Sequence, residues 1–367
     1  MKKIGILTFH GAHNYGSVLQ SYASVMTLRK LNYEPEIINL RNQAQIDAYR
    51  IFNTSSKLRR LFKLLIYPQL ASRRRKFEHF INHVLPISAK EYRTGNEIKV
   101  DELDYDIYYT GSDQVWNPAC QDFEPAYYLD FVGHKHRTVA YAPSLGKGCF
   151  DESDRQKIKS LLENVDYLSC REESGTRLIN ELSGRDAIQV CDPVLLPNRK
   201  EWSNFAVASK RRRKYILAYF LDNNHGDRSQ LESLRKATGY EVVILNDYIR
   251  DFINPHIHLK LNASPQEFLG LIRDAEIVYT NSFHATAFSV IFQKKFFTAI
   301  ANSENVANNN DSRKIDFLKS IGLEDRLVKI GESADLNKKI DWSAAYDKLS
   351  TFRTKSLNYL NNALEGK

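Results

Sequence analysis

Ile277-Val278-Tyr279-Thr280-Asn281-Ser282-Phe283-His284-Ala285-Thr286-Ala287 is the stretch on which the reading of this chain turns. Its apolar start predicts a buried strand, and the segment after His284 predicts a helix. A histidine at such a junction leaves the carboxyl end of a strand, where α/β proteins gather their chemistry. Imidazole exchanges protons near neutral pH. The short polar residues Asn281 and Ser282 let a ligand approach the N–H groups of a helix start. The bland alternative is a histidine that only caps the helix.

Outward from this point, strand-like and helix-like segments alternate, the pattern of a parallel α/β sheet. Lys3–Phe9, Glu36–Leu40, Ile107–Thr110 and Thr138–Ala142 read as strands, with Ser17–Leu31 as the first helix. Asp151 is placed to cap a helix reaching about Leu162, and Tyr167–Cys170 and Ile188–Val190 read as short strands flanking a helix within Glu172–Leu182. Pro193, Pro197 and the run Lys210-Arg211-Arg212-Arg213-Lys214 mark a domain boundary. The alternation then restarts with strand Tyr215–Leu221, helix Gly226–Thr238 and strand Glu241–Leu245. Ser264-Pro265-Gln266-Glu267 combines an N-cap, a first-turn proline and a capping-box glutamate, and opens a helix to about Asp274. Trp342, Tyr346, Leu349 and Phe352 recur at helical spacing in a long terminal helix, Asp341–Leu364. Two α/β domains with a cleft between them are expected.

Composition agrees. A chain of 367 residues is long for one core, and 43 % hydrophobic content with 20 Tyr and 19 Phe supplies two interiors. No stretch approaches the roughly 20 apolar residues that span a bilayer. Met1-Lys2-Lys3 leads straight into Ile4-Gly5-Ile6-Leu7, so no signal peptide is expected. Cys120, Cys149, Cys170 and Cys191 are scattered without a C-x-x-C pair, which argues against zinc or a disulfide framework and for a reducing cytoplasm.

The net charge of +8, from 52 basic and 44 acidic residues, implies an anionic partner. Basic residues concentrate in Lys57–Lys63 and Arg73–Lys76, with Leu58, Leu61, Phe62, Leu65 and Ile66 between them at helical spacing. A basic amphipathic helix of this kind can rest on an anionic membrane or pack its stripe on its own domain. No nucleic-acid motif accompanies it, so no nucleic-acid partner is expected.

Several polar loops fall at the carboxyl ends of the expected strands. His10-Gly11-Ala12-His13-Asn14-Tyr15-Gly16-Ser17 leads into a helix, which makes Asn14 and Gly16 candidates for an anion contact. It matches neither G-x-G-x-x-G nor a Walker A sequence, so dinucleotides and P-loop triphosphates are disfavoured. Thr110-Gly111-Ser112-Asp113-Gln114-Val115-Trp116-Asn117-Pro118 suits a carbohydrate, whose hydroxyls take donors and acceptors and whose apolar face stacks on an indole. Asp113 would equally serve as an N-cap. Arg171, directly after a strand, suits a two-point grip on phosphate or carboxylate, or a salt bridge to Glu172 or Glu173. Asp192-Pro193 reads as a structural turn, and Asn309, Asp311 and Arg313 as a further anion contact.

An ordered series of landmarks resembles the polysaccharide pyruvyl transferases. It runs through Ile4-Gly5-Ile6-Leu7, Asn14-Tyr15-Gly16, Gly111-Ser112-Asp113-Gln114-Val115-Trp116 and Ala140-Tyr141-Ala142. Ser169-Cys170-Arg171-Glu172-Glu173-Ser174, Cys191-Asp192-Pro193, Ser282-Phe283-His284 and Arg313 through Gly322-Leu323 complete it. The resemblance implies a GT-B-like fold of two facing Rossmann-like domains. These cover residues 1–205 (acceptor side, with a basic helical insertion at about 55–85) and 214–335 (donor side), and a terminal helix at 340–367 packs back on the first.

The same resemblance implies transfer of a pyruvyl group from phosphoenolpyruvate to a sugar of a cell-surface polysaccharide precursor, as a cyclic ketal. His284 and Asp113 would share the proton transfers. Arg171, Ser282, Asn281, Arg313, Asn14 and Gly16 would hold the donor anion, and Gln114, Trp116 and Asn117 the acceptor. Neither a metal nor an organic cofactor is implied. The expected place is the cytoplasm, at the inner membrane face through Lys57–Lys76 where the acceptor is lipid-linked.

One departure stands out. Ser282-Phe283-His284 occupies the place where many members carry Arg-Leu-His, leaving Arg313, Lys294 or Arg137 to supply the missing cation. Two other classes suit this fold. A nucleotide-sugar glycosyltransferase is one, although no Glu-x7-Glu occurs around His284–Phe292; a non-catalytic sugar-binding protein, favoured by the lost arginine, is the other.

Overall fold

The apolar runs form two all-parallel sheets in the computed structural model, which describes residues 1–133, 136–146, 150–221, 228–245, 249–301 and 311–367. The first sheet holds β1 (Lys3–Leu7), β2 (Glu34–Leu40), β3 (Ile87–Tyr92), β4 (Ile107–Thr110) and β5 (Arg137–Ala140), in the order β3-β2-β1-β4-β5. A short parallel pair, β6 (Ser169–Cys170) and β7 (Ile188–Gln189), continues beyond β5 through a bridge between Val139 and Tyr167. The second sheet holds β8 (Tyr215–Tyr219), β9 (Glu241–Ile244), β10 (Ile257–Leu259), β11 (Ile277–Thr280), β12 (Lys295–Ile300) and β13 (Leu327–Lys329), in the order β10-β9-β8-β11-β12-β13. The central strands β4, β8 and β11 are buried throughout, as parallel strands covered on both faces must be.

Strand order reverses once in each sheet, between β1 and β4 in the first and between β8 and β11 in the second. The crevice beyond the carboxyl ends of such a strand pair is where open α/β sheets take ligands. Register brings the loops out level: Leu7 pairs with Thr110, and Tyr219 with Thr280.

Aromatic side chains lock the two halves together beneath these loops. Tyr15, the first residue of helix Tyr15–Lys30, stacks on Phe268 of helix Pro265–Asp274 with centroids 4.4 Å apart and planes within 3°. Its hydroxyl donates to the Ala263 carbonyl at 3.0 Å. Within the first half Tyr22 stacks on Phe205 at 4.1 Å, and the neighbouring Trp202 meets Phe288 of the second half edge-on at 5.0 Å. The terminal helix Trp342–Glu365 touches both halves. Ser356 Oγ accepts from the Cys191 amide at 2.9 Å, while Tyr346 donates to the Ile291 carbonyl at 2.7 Å.

Some expectations change in detail. Gly226, Asn309 and Cys149 lie outside the described residues, and the helix expected from Gly226 is seen as Arg228–Thr238. The basic insertion forms two helices, Lys57–Leu65 and Tyr67–His83. Its apolar stripe divides: Phe62, Ile66 and Leu70 are buried with Leu261, whereas Leu58, Leu61 and Leu65 face outward.

Tyr15 offers a direct test of how the halves are held. Tyr15→Phe removes only the hydrogen bond to Ala263 and should cost about 1 kcal/mol. Tyr15→Ala also removes the stacked ring and should cost about 3–5 kcal/mol. Urea unfolding of both variants against the wild type gives the two values.

Candidate active site

The two reversal points face each other across a cleft of about 700 Å³. The first half lines it with Asn14, Ser17, Asp113, Gln114 and Asn117, and the second with Asn281, Ser282, His284, Arg313 and Lys314.

His284 is the second residue of helix Phe283–Ile291, whose start is capped by Ser282 Oγ accepting from the Ala285 amide at 3.4 Å. Its ring lies directly against the start of helix Tyr15–Lys30. A Cβ placed on Gly16 would come 2.0 Å from His284 Nδ1, so a glycine at this position is a condition for the imidazole's placement. Nε2 turns the other way, toward Asp192 Oδ2 at 3.5 Å. Nε2 is buried and makes no hydrogen bond among the described residues.

Asp192 therefore belongs to the site, although its sequence reads as a turn. It does make the turn, since Oδ1 accepts from the Val194 amide at 3.0 Å. Oδ2 also accepts from Arg171 Nη1 at 2.7 Å and Ser112 Oγ at 3.0 Å, and faces His284. Burial alone would raise the pKa of this carboxyl; the charge of the facing His284 first, then that of Arg171, with the Val194 amide, hold it well below the ordinary carboxylate range.

Arg171 does not line the cleft. Its Nε donates to Glu172 at 3.2 Å, its guanidinium sits 4.6 Å from the Phe283 ring centroid, and both it and Asp192 are buried. The salt-bridge alternative describes this structure, and the expected grip on a donor anion does not. Burial disfavours the Arg171 charge, but Glu172, Asp192 and Asp113 outweigh it and raise its pKa.

Asp113 does line the cleft, with Asp122 and Asp311. Its backbone is in the left-handed region, with φ 67°. Oδ2 accepts from Ser17 Oγ at 2.5 Å, Oδ1 from the Gln114 amide at 3.0 Å, and Arg313 Nη1 lies 4.0 Å away. Burial again opposes ionisation, and His284, Arg171, the Ser17 hydroxyl and Arg313 overcome it, lowering the pKa. Turned with its oxygen toward Arg313, the Gln114 side-chain amide accepts from both terminal nitrogens, at 3.1 and 2.8 Å, and its other end is 2.8 Å from Asn117 Nδ2.

Other predicted residues find different work. Trp116 is fully buried, stacked on Tyr128 at 4.6 Å with Nε1 donating to the Tyr127 carbonyl at 2.9 Å, so it offers no face to a sugar. Asn14 reaches the cleft, but its Oδ1 caps its own helix by accepting from Gly16 N at 2.8 Å and Ser17 N at 3.5 Å. Gly16 N–H is thereby occupied, and the residue's contribution is clearance for His284. Asn281 Oδ1 accepts from the Leu221 amide at 2.7 Å, joining the loops of β8 and β11.

Of the three candidates for the missing cation, Arg313 alone lines the cleft. Lys294 donates to the Arg273 carbonyl at 2.9 Å, and Arg137 to the Leu364 carbonyl at 2.5 Å. Lys314 also borders the cleft but is bound to Asp311 at 2.5 Å. Among the described residues, no group of three His, Cys, Asp or Glu side chains could hold a metal ion.

Asp192 predicts an acid limb in stability. Its pKa is lower folded than unfolded, where it is about 3.9. Its stabilisation is thus complete above the unfolded value and lost as pH falls toward the folded one. Asp192→Asn leaves Arg171 buried without that charge and should cost about 3–5 kcal/mol at neutral pH. Urea unfolding near pH 7 and pH 3 should show the gap to wild type shrinking in acid; a gap that widens would contradict the assignment.

The fold has clear counterparts. A UDP-GlcNAc 2-epimerase from Methanocaldococcus jannaschii, solved with UDP-GlcNAc and UDP, superimposes with a TM-score of 0.50 at 14 % identity, covering 96 % of this chain and 100 % of that one. MnaA of S. aureus, solved with UDP, gives 0.51 at 12 % identity over 99 % of this chain and 96 % of that one. At such identity these neighbours establish the GT-B fold. No curated protein matches the chain. The sequence matches the polysaccharide pyruvyl transferase family over residues 14–304. With most of its length inside that match, the chain belongs to the polysaccharide pyruvyl transferase family.

Proposed function

We propose that the cleft transfers a pyruvyl group from phosphoenolpyruvate to two hydroxyls of a sugar in a cell-surface polysaccharide precursor. The observation that carries this is the convergence, in one cleft, of an oriented imidazole, an ionised carboxylate and a guanidinium. The donor brings a phosphate and a carboxylate. Arg313, whose contact with Asp113 is long, has the planar fork that suits either group. The start of helix Phe283–Ile291 favours the same negative charge.

The chemistry balances without a redox partner. A proton added to the methylene carbon of phosphoenolpyruvate makes it a methyl group and leaves the neighbouring carbon electrophilic. One sugar hydroxyl adds there and loses its proton. The bond from that carbon to the phosphate oxygen breaks, and the second hydroxyl adds and loses its proton, closing the ketal. One hydroxyl proton replaces the one given to carbon, and the other leaves with phosphate. His284 delivers and recovers protons. Asp192, 3.5 Å from Nε2, supplies a negative charge that favours the protonated ring. Asp113 accepts from a hydroxyl, and the Gln114 and Asn117 amides hold the acceptor.

Incubation with phosphoenolpyruvate and a galactose- or mannose-based acceptor should release phosphate only when the acceptor is present. Turnover of a nucleotide-sugar in its place would assign a glycosyltransferase, and turnover of neither a sugar-binding protein. His284→Ala should lower turnover ~10²–10⁴-fold, and circular dichroism should show the fold retained even though loss of the buried ring lowers the unfolding midpoint. Gly16→Ala should approach that loss, because the methyl group occupies the imidazole's place.

A further inference from the structure

Between Asp47 and Glu78 the chain has no carboxylate, while arginines and lysines recur from Arg50 to Lys76. Helix Lys57–Leu65 lies within this stretch, capped by Ser56. Phe62 secures it, buried with Ile66, Leu70 and Leu261. The rest of its apolar face is uncovered: Leu58, Leu61, Leu64 and Leu65 are 67, 59, 56 and 70 % exposed. The patch continues onto the second half of the chain, because Phe252, half exposed itself, meets Phe62 edge-on at 5.3 Å and is followed by the exposed Ile253. Arg59, Arg60 and Lys63 occupy the opposite side of the helix, by its turn of about 100° per residue. A contiguous apolar surface rimmed by charge marks an interaction site.

Charge selects what covers it. A two-fold contact between copies would set the same basic rim against itself, on a chain that already carries a net +8. An anionic bilayer accommodates both faces: the leucines enter the boundary of the acyl chains, to a depth of ~5–10 Å, and the basic side chains meet headgroups. No helix among the described residues is long and apolar enough to cross a membrane. We infer that the exposed face of helix Lys57–Leu65, extended by Phe252 and Ile253, docks this protein on an anionic lipid surface.

The position has a consequence for access. Lys63 also lines a cavity of about 200 Å³ with His13, Arg50, Arg73 and Arg74, and Tyr49 borders both this cavity and the main cleft. A sugar carried on a lipid phosphate would meet that basic cavity between the bilayer and the cleft. The docking itself is independent of the pyruvyl donor.

Co-sedimentation with vesicles tests it, comparing phosphatidylglycerol–phosphatidylcholine mixtures with phosphatidylcholine alone. The wild type should sediment with the anionic vesicles, and raising the salt should release it. The triple variant Leu58→Ser, Leu61→Ser and Leu65→Ser should partition at least ~10-fold less, since each leucine contributes apolar burial. These side chains are exposed, so circular dichroism should show the fold retained. Equal partition of both proteins, or no binding to anionic vesicles at low salt, overturns the inference. Leucine-dependent dimerisation without lipid, measured by sedimentation velocity, overturns it as well. No arm measures turnover, so failure here leaves the proposed reaction standing.

Discussion

The buried carboxylate of Asp192 is the constraint on which the site depends. One oxygen closes a turn on Val194, and the other collects Ser112, Arg171 and the imidazole of His284. These groups come from the loops of β4, β6 and β11, so a single side chain relates the first half of the chain to the second. An isolated charge this deep would cost several kcal/mol. Paired and hydrogen-bonded, it becomes a fixed dipolar centre, and its ionised state is what makes the neighbouring cation and imidazole tenable.

The same arrangement explains which cation remains for a ligand. Arg171 is consumed by Asp192 and Glu172 beneath Phe283, and Lys314 by Asp311. Arg313 stays at the cleft wall, 4.0 Å from Asp113. Burial and the nearby Arg171 charge oppose the charge of Arg313 and lower its pKa. Ser282 is thus free to cap its helix, a task an arginine could not perform.

Burial decides how much of the fold is legible in the sequence. Strands covered on both faces read as apolar runs, so β1, β4, β8 and β11, with the junction at His284, stand out from the amino-acid pattern alone. Edge strand β3 does not, because its middle residues Lys90 and Glu91 face solvent and break the pattern. In the loop after β4, the polar run is enough to place Asp113, Gln114 and Asn117 on the cleft. Trp116 misleads for a physical reason: an indole among polar residues resembles a stacking surface, and only Tyr127 and Tyr128, beyond the loop, make it core. Asp192 is visible only as a cap, because the cap is local while Ser112 lies 80 residues upstream and His284 arrives from the other sheet. Gly16 has the right address and another purpose, since the ring it admits belongs to a helix far along the chain.

The identity of the anion that this cleft receives decides its chemistry. Calorimetric titration of phosphoenolpyruvate into the wild type and Arg313→Ala, with UDP-N-acetylglucosamine as the competing ligand, measures it directly. Saturable binding of phosphoenolpyruvate is predicted, weakened ~10-fold or more in Arg313→Ala by loss of a charge-assisted contact. Saturable binding of UDP-N-acetylglucosamine with none of phosphoenolpyruvate would contradict it.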